Sequence, residues 1–548
     1  MNAGPDAVDA ESTPLWARAP AALVALLAAA VFGPAVAAGY VWDDVLLVSA
    51  LPPPGSSLAS AVGLDLAAAG LRAEGGASGY FRPLLLLGLW AERAFGAAAP
   101  AVGHVHSLLW HLVAIAGLDR WARVQAIGPA GRLLALVIFG LHPMQVEPVV
   151  WISARPELML SAVALWSLAL ASPARRGALA VLGVLAALSK DQGAVLPLAL
   201  ALQGGWRAAV PASAGVAFAL GLRAWAGVGV PPASLGAALD VLPTLAQISA
   251  RDLLVPIGLH PGEHLGYSPP PPHVPALVLA GLVLVGARVG GTTGRAGLAL
   301  AAAAWAPSCA AVGMLGLVGL RYHHLALAGL GLAAGAAADR WLHPAVARGL
   351  GLGLALIFAG LGAAQLPKWA SDQQFWHEAV QAHPNPYTWA GRGIDRWTTG
   401  DREGAVADLR TAAAGPRPLG VACDALGPIL LDSALQTGGW AQAAQVGLDP
   451  QHAGCRGRPS WDGAAAVALV GAGELDQAVA LASALSADPH GYGLLVHIAA
   501  EADAGRDERL RTVPVEARGL LAEQAAALLD AGGRPTAAAR LRAQAAGR

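Results

Sequence analysis

Asp43 and Asp44 lie side by side in Tyr40-Val41-Trp42-Asp43-Asp44, directly after the first apolar run of the chain. A carboxylate partly withdrawn from water gains proton affinity, so one of the pair is suited to act as general base toward a hydroxyl. The pair is also suited to a divalent cation, or to a solvated acidic turn between an interfacial Tyr and Trp. Tyr80-Phe81-Arg82-Pro83 then places a guanidinium where the chain returns to an apolar stretch. Its planar fork matches a phosphate; snorkelling to an interface is the simpler role. His104, His106 and His111 follow on one predicted helix, where His104 and His111 share a face. Metal ligation would need a third ligand in proper geometry, and core histidines bonded to backbone are commoner. His142-Pro143-Met144-Gln145-Val146-Glu147 precedes Trp151 and Arg155. Its Glu and Arg can form a structural ion pair or position a sugar or phosphate. Ser189-Lys190-Asp191-Gln192 and Arg321-Tyr322-His323-His324 each set a cation beside polar or aromatic groups. Such cations suit an anionic lipid phosphate, or snorkel at a helix end.

These residues need elements to hold them, and the composition says what kind. The chain has 548 residues, 55% of them hydrophobic and 13% charged, with a mean hydropathy of +0.53. Soluble chains carry about twice that charge fraction. Charges are sparse up to Leu366 and frequent afterwards, so residues 1–366 read as membrane-embedded and 367–548 as a water-soluble domain. The formal net charge of -1 gives no reason to expect a nucleic-acid partner. The run from Leu15 to Ala38 ends in Ala35-Val36-Ala37-Ala38, which is similar to a signal-peptidase site. Its length and the apolar stretches after it favour a retained first span.

About eleven stretches of spanning character follow the hydropathy, near 15–39, 104–119, 131–149, 156–172, 176–189, 193–206, 208–226, 274–289, 295–318, 322–338 and 345–365. Two further helices, 83–97 and 239–257, carry charges inside them and are expected to lie along the interface. With a cytoplasmic N-terminus the inner loops collect Arg18, Arg120, Arg123, Arg132, Arg175, Arg176, Arg207, Arg288, Arg295, Arg340 and Arg348, as the positive-inside rule requires. The C-terminal domain then lies outside. So do Asp43, Asp44, His142, Glu147, Arg155, Lys190, Asp191 and Arg321, and polar residues gathered at one level of a membrane bundle usually mark a site.

From Trp376 onward the pattern is helical, with turns around Gly400, Gly438, Gly473, Gly505 and Gly532-Gly533. Their spacing is close to that of tetratricopeptide repeats, and Gly404, Ala405, Ala441, Ala443 and Ala444 supply the small residues that close-packed hairpins need. A generic helical hairpin stack has the same signature. Of the three cysteines, Cys309 lies in an apolar run; Cys423 and Cys455 can pair outside the cytoplasm, and spacing alone does not decide it.

In this order, the motifs resemble those of the transmembrane and tetratricopeptide-repeat O-mannosyltransferase family, within the C-type membrane glycosyltransferases. The matching segments are Asp43-Asp44, Arg82-Pro83-Leu84, His104 to His111, His142 to Glu147 with Arg155 and Glu157, Ser189-Lys190-Asp191, Arg321-Tyr322, and Trp376. Ser107 stands where the family has Asn, Asp191 where it has Glu, and Leu320 where a Glu precedes Arg-Tyr. The resemblance implies an all-α membrane bundle with a repeat domain, in the bacterial inner membrane with the repeats periplasmic. It implies an inverting transfer of a sugar from a polyprenyl-phosphate donor to an acceptor hydroxyl on a protein or glycan. Asp43 or Asp44 would be the base, and Arg82, His104, His142, Glu147, Arg155, Lys190, Arg321 and Tyr322 would bind the phosphate and sugar. A divalent cation is compatible with this set, and no nucleotide is needed. A non-catalytic membrane scaffold, its repeats binding a protein partner, is the main alternative. A transporter is weaker, because broken spans in symmetric halves are not found.

Overall fold

The apolar stretches wind into helices, and many start on a proline whose fixed φ and missing N–H suit a first turn. The computed structural model describes residues 19–49, 51, 80–229, 234–268, 271–414, 420–485, 491–506, 508–513 and 515–546. Among the described residues it is all-helical, 84% helix with no strand, and one isolated antiparallel bridge joins His264 and Leu317. Contacts divide it into two units, 1–378 and 379–548.

The first unit contains α1 (Pro20–Phe32), α2 (Asp43–Ser49), α3 (Pro83–Glu92), α4 (Ala99–Val124), α5 (Pro129–Leu141), α6 (Val146–Val150), α7 (Arg155–Ala169), α8 (Arg176–Ser189), α9 (Leu196–Gly204), α10 (Trp206–Trp225), α11 (Leu235–Leu254), α12 (Val274–Val289), α13 (Gly291–Leu315), α14 (His324–Trp341), α15 (Pro344–Gln365) and α16 (Asp372–Ala382), the last running on past Glu378. Five helical segments among the described residues are long and apolar enough to cross a membrane: Pro20–Ala37, Pro83–Val124, Trp206–Trp225, Gly291–Leu315 and Pro344–Trp369. The bent pair Pro129–Leu141 and Pro143–Val150, with 44° between them, makes a sixth if counted as one span. The other apolar stretches are also helical: most are shorter, down to the nine residues of α9, and α14 has 18 residues but is not apolar enough.

Helix α7 is the centre of this unit, with every residue except Trp166 buried. Around it, small residues let backbones approach. A Cβ on Gly297 of α13 would stand 2.5 Å from the Gly329 carbonyl of α14, and one on Gly131 of α5 would stand 2.5 Å from that of Gly335. Between apolar helices in lipid, such close backbone contact replaces the hydrophobic drive available in water.

The second unit is a run of helix hairpins: α17 (Pro386–Thr399) with α18 (Arg402–Ala413), α19 (Gly420–Thr437) with α20 (Trp440–Leu448), α21 (Pro459–Gly471) with α22 (Leu475–Ser483), then α23 (Tyr492–Asp503), α24 (Glu508–Thr512), α25 (Val515–Ala531) and α26 (Pro535–Ala546). Gly400 and Gly473 turn two of these hairpins at φ +95° and +89°, a region costly for a residue with a Cβ. Asn385 caps α17 by accepting from the Tyr387 and Thr388 amides at 2.9 and 3.2 Å, and Thr388 Oγ1 accepts from the Asn385 amide at 3.1 Å. This reciprocal capping box satisfies the first-turn donors. Ala405, Ala443 and Ala444 are buried as hairpin packing requires, while Ala441 is exposed.

Cys423 and Cys455 are joined in a disulfide, with a sequence separation of 32. Closing a loop of that length removes disorder from the unfolded chain worth roughly 3–4 kcal/mol. Reducing it in the full chain should therefore raise hydrogen exchange across 420–471. Unchanged exchange after verified reduction would show that packing alone holds this segment.

Candidate functional site

The adjacent carboxylates have different surroundings. Asp44 is 1% exposed. One of its oxygens accepts from the Ser153 amide at 2.8 Å and from the Ser153 hydroxyl, and the other from the Val41 amide at 3.2 Å. Those bonds tie the first turn of α2 to the 151–154 turn before α7. Asp43 is half-buried and, among the described residues, has no hydrogen bond or ion pair. Burial lifts its carboxyl to about 6; the nearby charge of Arg321 opposes this, Asp372 adds to it and Arg82 opposes it. Asp44 is lifted to about 7 by burial, against the Ser153 and Val41 donors.

Cations from three distant parts of the chain meet here. Arg321 Nη1 donates to Glu147 Oε1 at 2.7 Å, and the Leu320 amide donates to Glu147 Oε2 at 3.0 Å. The Arg321 guanidinium lies 4.6 Å from the Tyr322 ring centre, 4.8 Å from Trp151 and 5.8 Å from Trp42. Lys190 is 5% exposed, is paired with Glu157 and lies 5.2 Å from the Tyr322 ring. Burial lowers its ammonium to about 8, Glu157 holds it up, and the charges of Arg82 and Arg321 push it down further. Arg82 is the N-cap residue of α3, stacked 4.8 Å from Tyr80. It has no carboxylate partner among the described residues, and its buried Nε has no hydrogen bond. The three cations thus face one region containing Asp43, Glu147, Glu157 and Tyr322, and Lys190 and Arg321 are already neutralised by partners.

A small cleft opens beside Glu157, Gln192 and Tyr322. Its walls are apolar, with Leu160 and Ala164 from α7, Leu196 and Ala199 from α9, Leu300 and Ala303 from α13, and Leu325 from α14.

Three expected site residues have other bonding partners. Arg155 is fully buried and turns toward α3 and α4: Nη1 and Nη2 reach the two Glu92 oxygens at 2.6 and 3.1 Å, Nε the Ser107 hydroxyl at 3.1 Å, and Nη2 the Gly103 carbonyl at 3.0 Å. His104 Nε2 sits 3.3 Å from the Gly39 carbonyl, in the approach to α2. His142 accepts from the Met144 amide at 3.2 Å and bonds the Leu253 carbonyl at 3.1 Å, holding the break between α5 and α6. Ser107 accepts from Arg155, Asp191 pairs with Arg223, and Leu320 meets Glu147 through its amide.

Among the described residues no group of three His, Cys, Asp or Glu side chains gathers as a metal-ligand set. His106 bonds Glu92 at 2.6 Å, and His111 meets His324 at 3.2 Å. Ser153 and Asp372 are site residues that no motif marked. Asp372 does stand four residues before Trp376 at the start of a helical pattern, where a first-turn carboxylate is expected.

No protein-family model, no curated protein and no solved structure matches the chain.

Proposed function

We propose that this protein is a membrane glycosyltransferase that moves a sugar from a polyprenyl-phosphate donor to an acceptor hydroxyl on the outer, periplasmic side of a bacterial inner membrane. The observation that carries this reading is that Arg82 and Arg321 face both Lys190 and the carboxyl of Asp43, which is unbonded among the described residues. Separate snorkelling would leave these cations facing lipid; Lys190 is instead buried and Arg321 has a 13% exposed side chain. The apolar cleft under Tyr322 offers a path for a prenyl chain whose phosphate lies at the cations. The disulfide in the repeat unit supports an oxidising compartment for it. The reading takes the shorter apolar helices as further spans, about eleven in all by the positive-inside rule, and the hairpins as a tetratricopeptide-like docking surface for the acceptor.

In this reaction Asp43 takes the proton of the acceptor hydroxyl. The oxygen attacks the anomeric carbon, the bond to the phosphate oxygen breaks with inversion, and its electron pair leaves with the polyprenyl phosphate. Lys190 and Arg321 set the local field while compensated by Glu157 and Glu147. Arg82, without a carboxylate partner among the described residues, is the direct phosphate ligand, stabilising the charge that grows on the leaving group.

Arg82→Ala should weaken binding of a polyprenyl phosphate roughly 10- to 100-fold, the worth of a charge-assisted contact. Arg82→Lys should recover only part, because an ammonium lacks the bidentate fork. Titration of the purified variants in nanodiscs measures this, and equal affinity of wild type and Arg82→Ala would remove the arginine from the site.

A further inference from the structure

Trp42 has φ +59°, a left-handed backbone that a bulky side chain adopts only when its surroundings enforce it. The enforcement comes from the chain after α15. Asp372, the first residue of α16, accepts from the Trp42 amide at 2.7 Å. One helical turn on, Phe375 stacks on the Trp42 ring at 5.3 Å and Trp376 meets it edge-on at 6.1 Å. On the other side Trp42 lies on Trp151, 4.4 Å between centres and 10° from parallel. The next residue is Asp43 and the one after it is Asp44, fixed to Ser153. Asp43 is thus carried between two anchors, Trp42 and Asp44, while its own carboxyl stays unbonded among the described residues. A change in the Trp42 φ would swing Asp43 away from Arg82 and Arg321, since a single backbone rotation redirects everything after it.

We propose that Asp372 is a positioning residue for Asp43: by accepting the Trp42 amide it holds the left-handed turn that presents the Asp43 carboxyl to the cations. This rests on the reading of Asp43 as the base of the lipid-sugar site. It makes the segment joining the last helix of the bundle to the repeats a working part of that site. Among the described residues, the charged groups facing Asp43 are Arg321 and Arg82, Asp372, and its neighbour Asp44. Asp372 therefore acts in two separable ways, as an acceptor for the turn and as a negative charge that disfavours ionisation of Asp43.

The test compares Asp372→Ala, Asp372→Asn and Asp43→Asn in the full chain in nanodiscs. It reads the near-ultraviolet circular dichroism of the Trp42–Trp151 stack, affinity for a polyprenyl phosphate, and turnover of a short-chain polyprenyl-phosphate hexose against pH. Asp372→Ala should lose the stacking signal and about 10- to 100-fold in turnover, with phosphate affinity nearly unchanged. Asp372→Asn keeps an oxygen acceptor, so it should restore the stack and most of the turnover. With one negative charge gone, the acid limb of its pH profile should move to lower pH. That shift reads the charge of Asp372 alone, while the loss in Asp372→Ala and its recovery in Asp372→Asn read the acceptor. Wild-type stacking and turnover in Asp372→Ala, beside an inactive Asp43→Asn, would overturn the positioning role and leave the base assignment standing. Full turnover in Asp43→Asn would overturn the base assignment itself.

Discussion

Asp43→Asn is expected to lower sugar transfer by about two to four orders of magnitude, the contribution of a positioned general base, while the protein remains folded. The carboxyl has no hydrogen bond or ion pair to lose among the described residues, so an amide of the same size disturbs little around it. Asp44→Asn should behave differently. Its two oxygens accept from the Val41 amide and from the Ser153 amide and hydroxyl, and an amide brings N–H donors against one of those sets. Loss of stability should accompany any loss of turnover there, because a buried donor left without an acceptor costs about 1–3 kcal/mol. The pH dependence has a definite sign. A base works deprotonated, and burial has lifted Asp43 to about 6; activity should rise as pH climbs through about 6 and fall below it. A pH–rate profile flat across that region, or full turnover in Asp43→Asn, would remove Asp43 from the chemistry.

Glu92→Ala should destabilise the protein by roughly 3–5 kcal/mol, the cost of leaving one member of a buried ion pair alone. Arg155 is fully buried and both of its terminal nitrogens reach Glu92. His106 bonds the same carboxylate at 2.6 Å, so removing it takes the carboxylate from two groups at the junction of α3, α4 and α7 and leaves the Arg155 charge with only neutral partners. Replacing both partners, as Glu92→Leu with Arg155→Met, should recover most of the loss, since paired buried charges are often exchanged for apolar side chains without penalty. Thermal unfolding in detergent separates these cases. If Glu92→Ala unfolds at the wild-type temperature, Arg155 is not held as described. If the double variant binds a polyprenyl phosphate normally, Arg155 has no part in the donor site.

Hydropathy and glycine placement carried much of the architecture. The apolar stretches are helices, and the glycines at 400 and 473 turn hairpins at positive φ because those positions demand it. Counting arginines on alternate loops put Asp43, Glu147, Lys190 and Arg321 at one level together with Arg155 and His142, which bond Glu92 and the Leu253 carbonyl instead. What hydropathy does not resolve is how a short apolar stretch such as α9, nine residues long, sits in a bilayer, because period and composition do not report a helix break. The finer assignments were out of reach for another reason. Which of two adjacent carboxylates stays unbonded depends on Ser153, 109 residues away. Arg155 turns from the site because Glu92 lies on a helix whose internal charges made it look peripheral. Asp372 finds Trp42 across 330 residues. Each is a contact between loops brought together only by the packed bundle, and no local pattern encodes it.

The shared phosphate site is tested most directly by a cryo-electron-microscopy structure of the full chain in nanodiscs with a polyprenyl phosphate. The phosphate should lie within hydrogen-bond reach of Arg82, with Asp43 lining the same cavity and the prenyl chain descending between α7, α9, α13 and α14. If the lipid phosphate instead sits against bilayer-facing side chains, with Arg82 still stacked on Tyr80 and the cleft under Tyr322 empty of it, the donor site is wrong and the scaffold reading takes its place.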